Sequence, residues 1–94
     1  MSARRPTLDE PIQVASFWKN RRHDAVVISL QSFQGRNLVD VRMHAMHRDG
    51  TLKPTGKGVA MVVLRLPELL AAVTKAHAKA VELGLLDDDS EAGE

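Results

Sequence analysis

The stretch DGTLKPTGKG, Asp49 to Gly58, sets three glycines, a proline and two lysines within ten residues. Glycine and lysine grip nucleotide phosphates at a fixed spacing: Gly, four residues, then Gly-Lys and Ser or Thr, opening a helix. Here five residues separate Gly50 from Gly56, Gly58 follows Lys57, and the strand-like run VAMVVL comes next. The segment fails as a nucleotide loop. It reads as a bent connection, turned by Pro54, that displays Lys53 and Lys57.

Other site chemistries find no support. Cysteine is absent, which removes disulfides, zinc–thiolate sites and thiol catalysis. His44 and His47 are three apart in a predicted strand and point to opposite faces, unlike a pair of metal ligands. Ser29 and Ser32 lack a nucleophile motif. Asp40 and Arg42 suit a same-face charge pair better than an acid–base couple. No enzyme activity, cofactor or metal is expected.

What remains is an inventory for holding a polyanion. Arg36, Arg42, Lys53 and Lys57 fall on or beside predicted hairpins, and Lys19, Arg21 and Arg22 form a further basic cluster. Phe33 ends its strand beside the first set. It either stacks on a base or caps the edge of the core. Trp18 reads as a core or interface anchor rather than a base platform. No RNA-recognition signature is present. Charge is unevenly spread. Residues 1–65 hold eleven Lys/Arg against five Asp/Glu, and residues 66–94 hold two against seven. That split points to a basic working surface and an acidic tail.

The elements that must position these groups follow from periodicity. Residues 1–11 carry two prolines and read as a flexible arm. Ile12 to Arg22 is a short strand or extended lead-in. In DAVVISLQSF, Val26, Ile28 and Leu30 form an apolar face. Gly35 marks a tight turn. Val39, Val41, Met43 and Ala45 then alternate with Asp40, Arg42 and His44. Asp49-Gly50 signals a hairpin, and GVAMVVL reads as a mostly buried strand from Gly58. Pro67 and Glu68 open a helix over residues 67–83, roughly 25 Å long. Leu69, Val73, Ala76, Ala80 and Leu83 make its apolar seam, and Gly84 its stop. One helix cannot cover both faces of a sheet, so the seam at Leu69, Val73, Ala76 and Ala80 suits a dimer interface.

The run SLQSFQGRNLVDVR, the hairpin DGTLKPTGKGVAM and the helix together resemble the positive cofactor four family of single-stranded-DNA-binding transcriptional coactivators. The resemblance covers roughly Asp24 to Val81. It rests on Phe33, Gly35, Arg36, Val39, Asp40, Val41, Arg42, Asp49, Gly50, Lys53, Pro54, Lys57 and Gly58 standing in the family's order. It implies an α+β fold: a curved four-stranded antiparallel sheet followed by one long C-terminal helix, dimeric. It implies that Phe33 stacks on a base, and that Arg36, Arg42, Lys53 and Lys57 hold phosphates. His44 and Ala45 stand where the family often carries aromatic residues, so the imidazole of His44 is the candidate replacement platform.

The expected organisation is an arm at 1–11, a binding domain at 12–86 and an acidic disordered tail at 87–94. The expected partners are single-stranded or melted DNA, a second copy of the chain and transcription machinery, with no membrane. The expected location is cytoplasmic, or nucleoid-associated in a bacterium. The alternative function is a protein–protein interaction module of the same fold with weak nucleic-acid affinity.

Overall fold

A computed structural model describes residues 5–87 of the chain. The acidic tail beyond Asp87 lies outside the described residues. Four strands, β1 (Ile12–Trp18), β2 (Ala25–Phe33), β3 (Arg36–Met46) and β4 (Leu52–Val62), form one open antiparallel sheet in the order β1-β2-β3-β4. A 3₁₀ turn (Val63–Arg65) and a helix, α1 (Leu66–Glu82), follow. The expected sheet-then-helix order is observed. The chain divides into a unit up to Val63 and a second from Leu64 onward.

Within the first unit, every strand pairs with its neighbour in sequence. β2 and β3 meet through a two-residue turn, Gln34-Gly35, with φ of 53° and 81°. Two positive φ values in succession make a type I′ turn, whose twist matches that of the flanking strands. Glycine at the second site serves that geometry. The β3–β4 connection is also where Asp49-Gly50 placed it, with Gly50 at φ 85°. His47 lies just past β3, which ends at Met46, so it is a turn residue and not a strand residue.

Cross-strand partners share a face. One face therefore carries Ile12, Phe17, Val26, Ile28, Leu30, Val39, Val41, Met43, Val59 and Met61. The other carries Trp18, Val27, Phe33, Arg36, Asp40, Arg42 and His44. The apolar residues buried among those described are Ala25, Val27 and Val39. Two of these lie on the mixed face, opposite the expected Val26-Ile28-Leu30 set, which is only half-buried. Val27 sits between Ser16 and Arg42, and a long arginine stem beside a short valine shields it.

β4 departs from expectation in two ways. It begins at Leu52, so Lys53 to Gly58 is strand and not connection. It is also mostly exposed, with Val59 at 49%. As an edge strand it has one neighbour, which leaves its side chains open and also makes room for Pro54. The described part of the N-terminal arm has no strand, yet it is pinned to the β2–β3 hairpin. The Leu8 amide donates to Ser32 Oγ at 2.8 Å, and Asn37 Nδ2 donates to the Pro6 carbonyl at 2.9 Å.

In the second unit, α1 starts with Pro67 in its first turn and Glu68 near the positive helix end. Its end is a Schellman motif. The Leu85 amide donates to the Ala80 carbonyl at 2.8 Å and the Gly84 amide to Val81 at 3.0 Å, with Gly84 at φ 79°. No residue of α1 is buried, and Leu70 and Val73 are 66% and 57% exposed. Neither α1 nor any other helix among the described residues is long and apolar enough to cross a membrane.

Candidate nucleic-acid interface

The type I′ turn sets Phe33 directly opposite Arg36. Both are exposed, Phe33 at 61%. Arg42 and His44 continue along β3 on the same face, about 20–27 Å further on at strand rise.

Arg42 is committed to neighbours. Its Nε donates to Asp40 Oδ2 at 3.0 Å and its Nη2 to Asp40 Oδ1 at 2.8 Å, a two-pronged pair. Its Nη1 donates to the Thr55 carbonyl at 3.1 Å. Hydrogen bonding to Asp40, reinforced by that carboxylate's charge, raises the guanidinium above its already high ordinary pKa. Asp40 is buried, so the arginine neutralises a carboxylate that water does not reach freely. The predicted same-face charge pair is present.

The third bond of Arg42 reaches a bulge in β4. Arg42 pairs with Gly58 and His44 with Pro54, so Thr55, Gly56 and Lys57 oppose Met43 alone. Thr55 holds the bulge. Its hydroxyl donates to the Met43 carbonyl at 2.8 Å and accepts from the Lys57 amide at 3.1 Å. Gly58 ends the bulge where only glycine fits. A Cβ there would lie 2.5 Å from the Val41 carbonyl oxygen and 2.8 Å from the Arg42 Cα.

The bulge and the register together divide the predicted cations. Lys53 lies opposite Ala45, on the face away from Phe33 and Arg36. Lys57 lines an open depression of about 450 Å³ with Lys19, Arg22 and Arg42, over Val26, Val41 and Met43. The structure thus places Phe33, Arg36, Arg42 and His44 on one face. It brings Lys57 together with Lys19 and Arg22 at the other end of the sheet. Arg36, Lys53, Lys57, Lys19, Arg21 and Arg22 make no ion pair among the described residues.

Two organising residues carried no sequence signal strong enough to single them out. Thr55 is one. Asn20 is the other. Its Oδ1 accepts from the amides of Arg22 at 2.9 Å and Asp24 at 3.3 Å, and its Nδ2 donates to Asp24 Oδ2 at 3.1 Å. An asparagine bonding the backbone two residues on is a local turn device, and its place before two arginines was the available clue.

No curated protein and no solved structure matches the chain. A family-wide sequence model does, across residues 19–72, which takes in the β1–β2 turn, strands β2 to β4 and the start of α1. That family is one of single-stranded-DNA-binding coactivators and not of enzymes. With more than half of its length matched, the chain belongs to the transcriptional coactivator p15 (PC4) family.

Proposed function

We propose that the chain binds single-stranded or melted DNA through its sheet and so assists transcription. The observation that carries this is the exposed Phe33 ring opposite Arg36 across a turn set by backbone geometry. A stacking ring and a cation on a rigid turn suit one base and its phosphate. Arg36 supplies the phosphate contact beside Phe33. Lys57, Lys19 and Arg22 supply others at the far end of the sheet. Lys53, on the opposite face, and Arg21 extend the basic surface for a strand that wraps the sheet. Arg42, bonded to Asp40 and Thr55, is a positioning residue that shapes the surface, and His44 continues the face toward the far end. Phosphate contacts position a strand without reading it, so binding tolerates many sequences.

The functional species is a homodimer. The exposed residues of α1 support this, because the seam at Leu69, Val73, Ala76 and Ala80 has no buried member. Light scattering at micromolar concentration gives twice the chain mass; a monomer mass overturns it.

Fluorescence anisotropy with labelled single-stranded and duplex oligonucleotides tests the whole reading. Single strands bind more tightly. The affinity falls with salt, at a slope of about 0.7 per phosphate contact. Replacing Arg36, Lys53 and Lys57 with Ala lowers that slope by about 2 per protomer. An unchanged slope, or equal affinity for duplex, overturns the assignment.

A further inference from the structure

Trp18 is the chain's one tryptophan, and tyrosine is absent. The sequence suggests a core or interface anchor, yet the residue is 56% exposed at the end of β1. We propose that Trp18 is a second base-stacking platform, and that the turn after it takes the neighbouring phosphates of the same strand. This rests on the reading that the sheet binds single-stranded DNA. Trp18 precedes the matched segment by one residue.

Position is the first argument. Trp18 pairs with Ala25, Ala25 with His44 and His44 with Pro54. That row crosses the sheet on the face that carries Phe33 and Arg36. Trp18 and His44 stand two strands apart, about 10 Å. Phe33 and Trp18 mark the two ends of β2, about 27 Å apart along the strand. At the stacked rise of about 3.4 Å, roughly eight nucleotides span them.

The ring is also held. The His23 ring packs edge-on against Trp18, with centroids 5.2 Å apart and planes at 81°. His23 reaches this place with φ at 67°, a conformation uncommon outside glycine. The bonds from Asn20, and the Lys19 amide donating to the Asp24 carbonyl at 2.7 Å, hold the turn in that shape. A ring with a neighbour already against it has less freedom to lose when a base stacks on it.

Charge selects the occupant. Lys19, Arg21 and Arg22 follow the ring directly, all exposed and without an ion pair among the described residues. Lys19 and Arg22 line the depression over Val26, Val41 and Met43, round the end of β1 from the ring, so a strand stacked on Trp18 meets cations as it turns past that end. A second copy docked through this same turn would set like cations against each other.

Titration with oligodeoxythymidylate, read by Trp18 fluorescence and by anisotropy together, tests the proposal. The emission is quenched along the same isotherm as the anisotropy rise. Trp18→Ala weakens binding on the order of 5- to 150-fold, and Trp18→Phe restores most of it. The loss is greatest for strands above roughly eight nucleotides. Binding with unquenched emission overturns the proposal, and that measurement needs no variant. So does normal affinity in folded Trp18→Ala, or a change in its mass by light scattering, which marks the ring as a contact between copies. Absence of any anisotropy change in the unaltered protein overturns the single-strand reading itself.

Discussion

At the Gln34-Gly35 end of the sheet, two backbone torsions close the hairpin and set Phe33 against Arg36. At the opposite end, side chains reinforce the backbone bonds that close the turns. Asn20 ties the β1–β2 turn, Asp49 ties the β3–β4 turn, and Arg42 with Thr55 holds the β4 bulge. The difference separates two ways of presenting a binding group. Where the backbone sets the shape, the side chains are free to meet a ligand. Where side chains set the shape, they are occupied, and only their neighbours remain free. Arg36 and Arg42 show this within one strand: the first is exposed and unpaired among the described residues, the second has donors on both nitrogens and Nε engaged.

The largest expected effect falls at the side-chain-built end. Gly58→Ala places a methyl against the backbone of Val41 and Arg42, with no flexible side chain to yield. We expect a loss of about 1–3 kcal/mol in chemical denaturation. A variant as stable as the original would show that the bulge relaxes freely, and the contrast between the ends would collapse.

Phe33→Ala tests the other end. Binding to single strands should weaken by about 1–3 kcal/mol while the fold stays intact, because the turn depends on Gln34 and Gly35 and not on the ring. A steep fall in melting temperature would instead make Phe33 part of the core.

Thr55→Val keeps the shape and removes both bonds of the hydroxyl. The expected cost is about 1 kcal/mol, read from denaturation midpoints. The affinity loss should appear in binding that depends on Lys57 and be absent from the Phe33 contribution. Equal loss in both would mean the two ends are coupled.

The smallest effect concerns pH. Asp49 Oδ1 accepts from the Thr51 hydroxyl at 2.7 Å and the Thr51 amide at 3.0 Å, which pulls its pKa below the ordinary carboxylate value. A carboxylate depressed in the folded state adds stability above its unfolded pKa and loses it as pH falls through the folded one. Asp49→Ala should therefore melt slightly lower near neutral pH, with the gap closing in acid. A gap independent of pH would assign the effect to turn propensity alone.

What the sequence revealed follows the same division. Gly35, Gly50 and Gly84 sit at positive φ, and each was legible because glycine at a break in periodicity has few other uses. Pro67 and the Asp40–Arg42 spacing were legible for similar local reasons. The bulge was not. Thr55 reaches Met43 twelve residues away in sequence, a distance that no local pattern encodes. The same bulge and the strand register decide which face each lysine meets. The separation of Lys53 and Lys57 from Phe33 was therefore invisible before the pairing was known. Strand burial was overestimated for GVAMVVL because hydrophobicity does not say which strand lies at an edge.

The strand order β1-β2-β3-β4 also says when this protein can fold. Every sheet pairing joins strands adjacent in sequence, so loop closures are short and the sheet can grow hairpin by hairpin. During synthesis from the N-terminus, all sheet pairings can be in place once Val63 has left the ribosome, before α1 has been made. Folding of the sheet is then a first-order event, and in the homodimer we propose the joining of two chains is a later, second-order one. Stopped-flow refolding should show a Trp18 phase whose rate ignores protein concentration, followed by a phase that scales with it. The sheet of a nascent chain with this topology needs nothing beyond Val63 to complete its pairings.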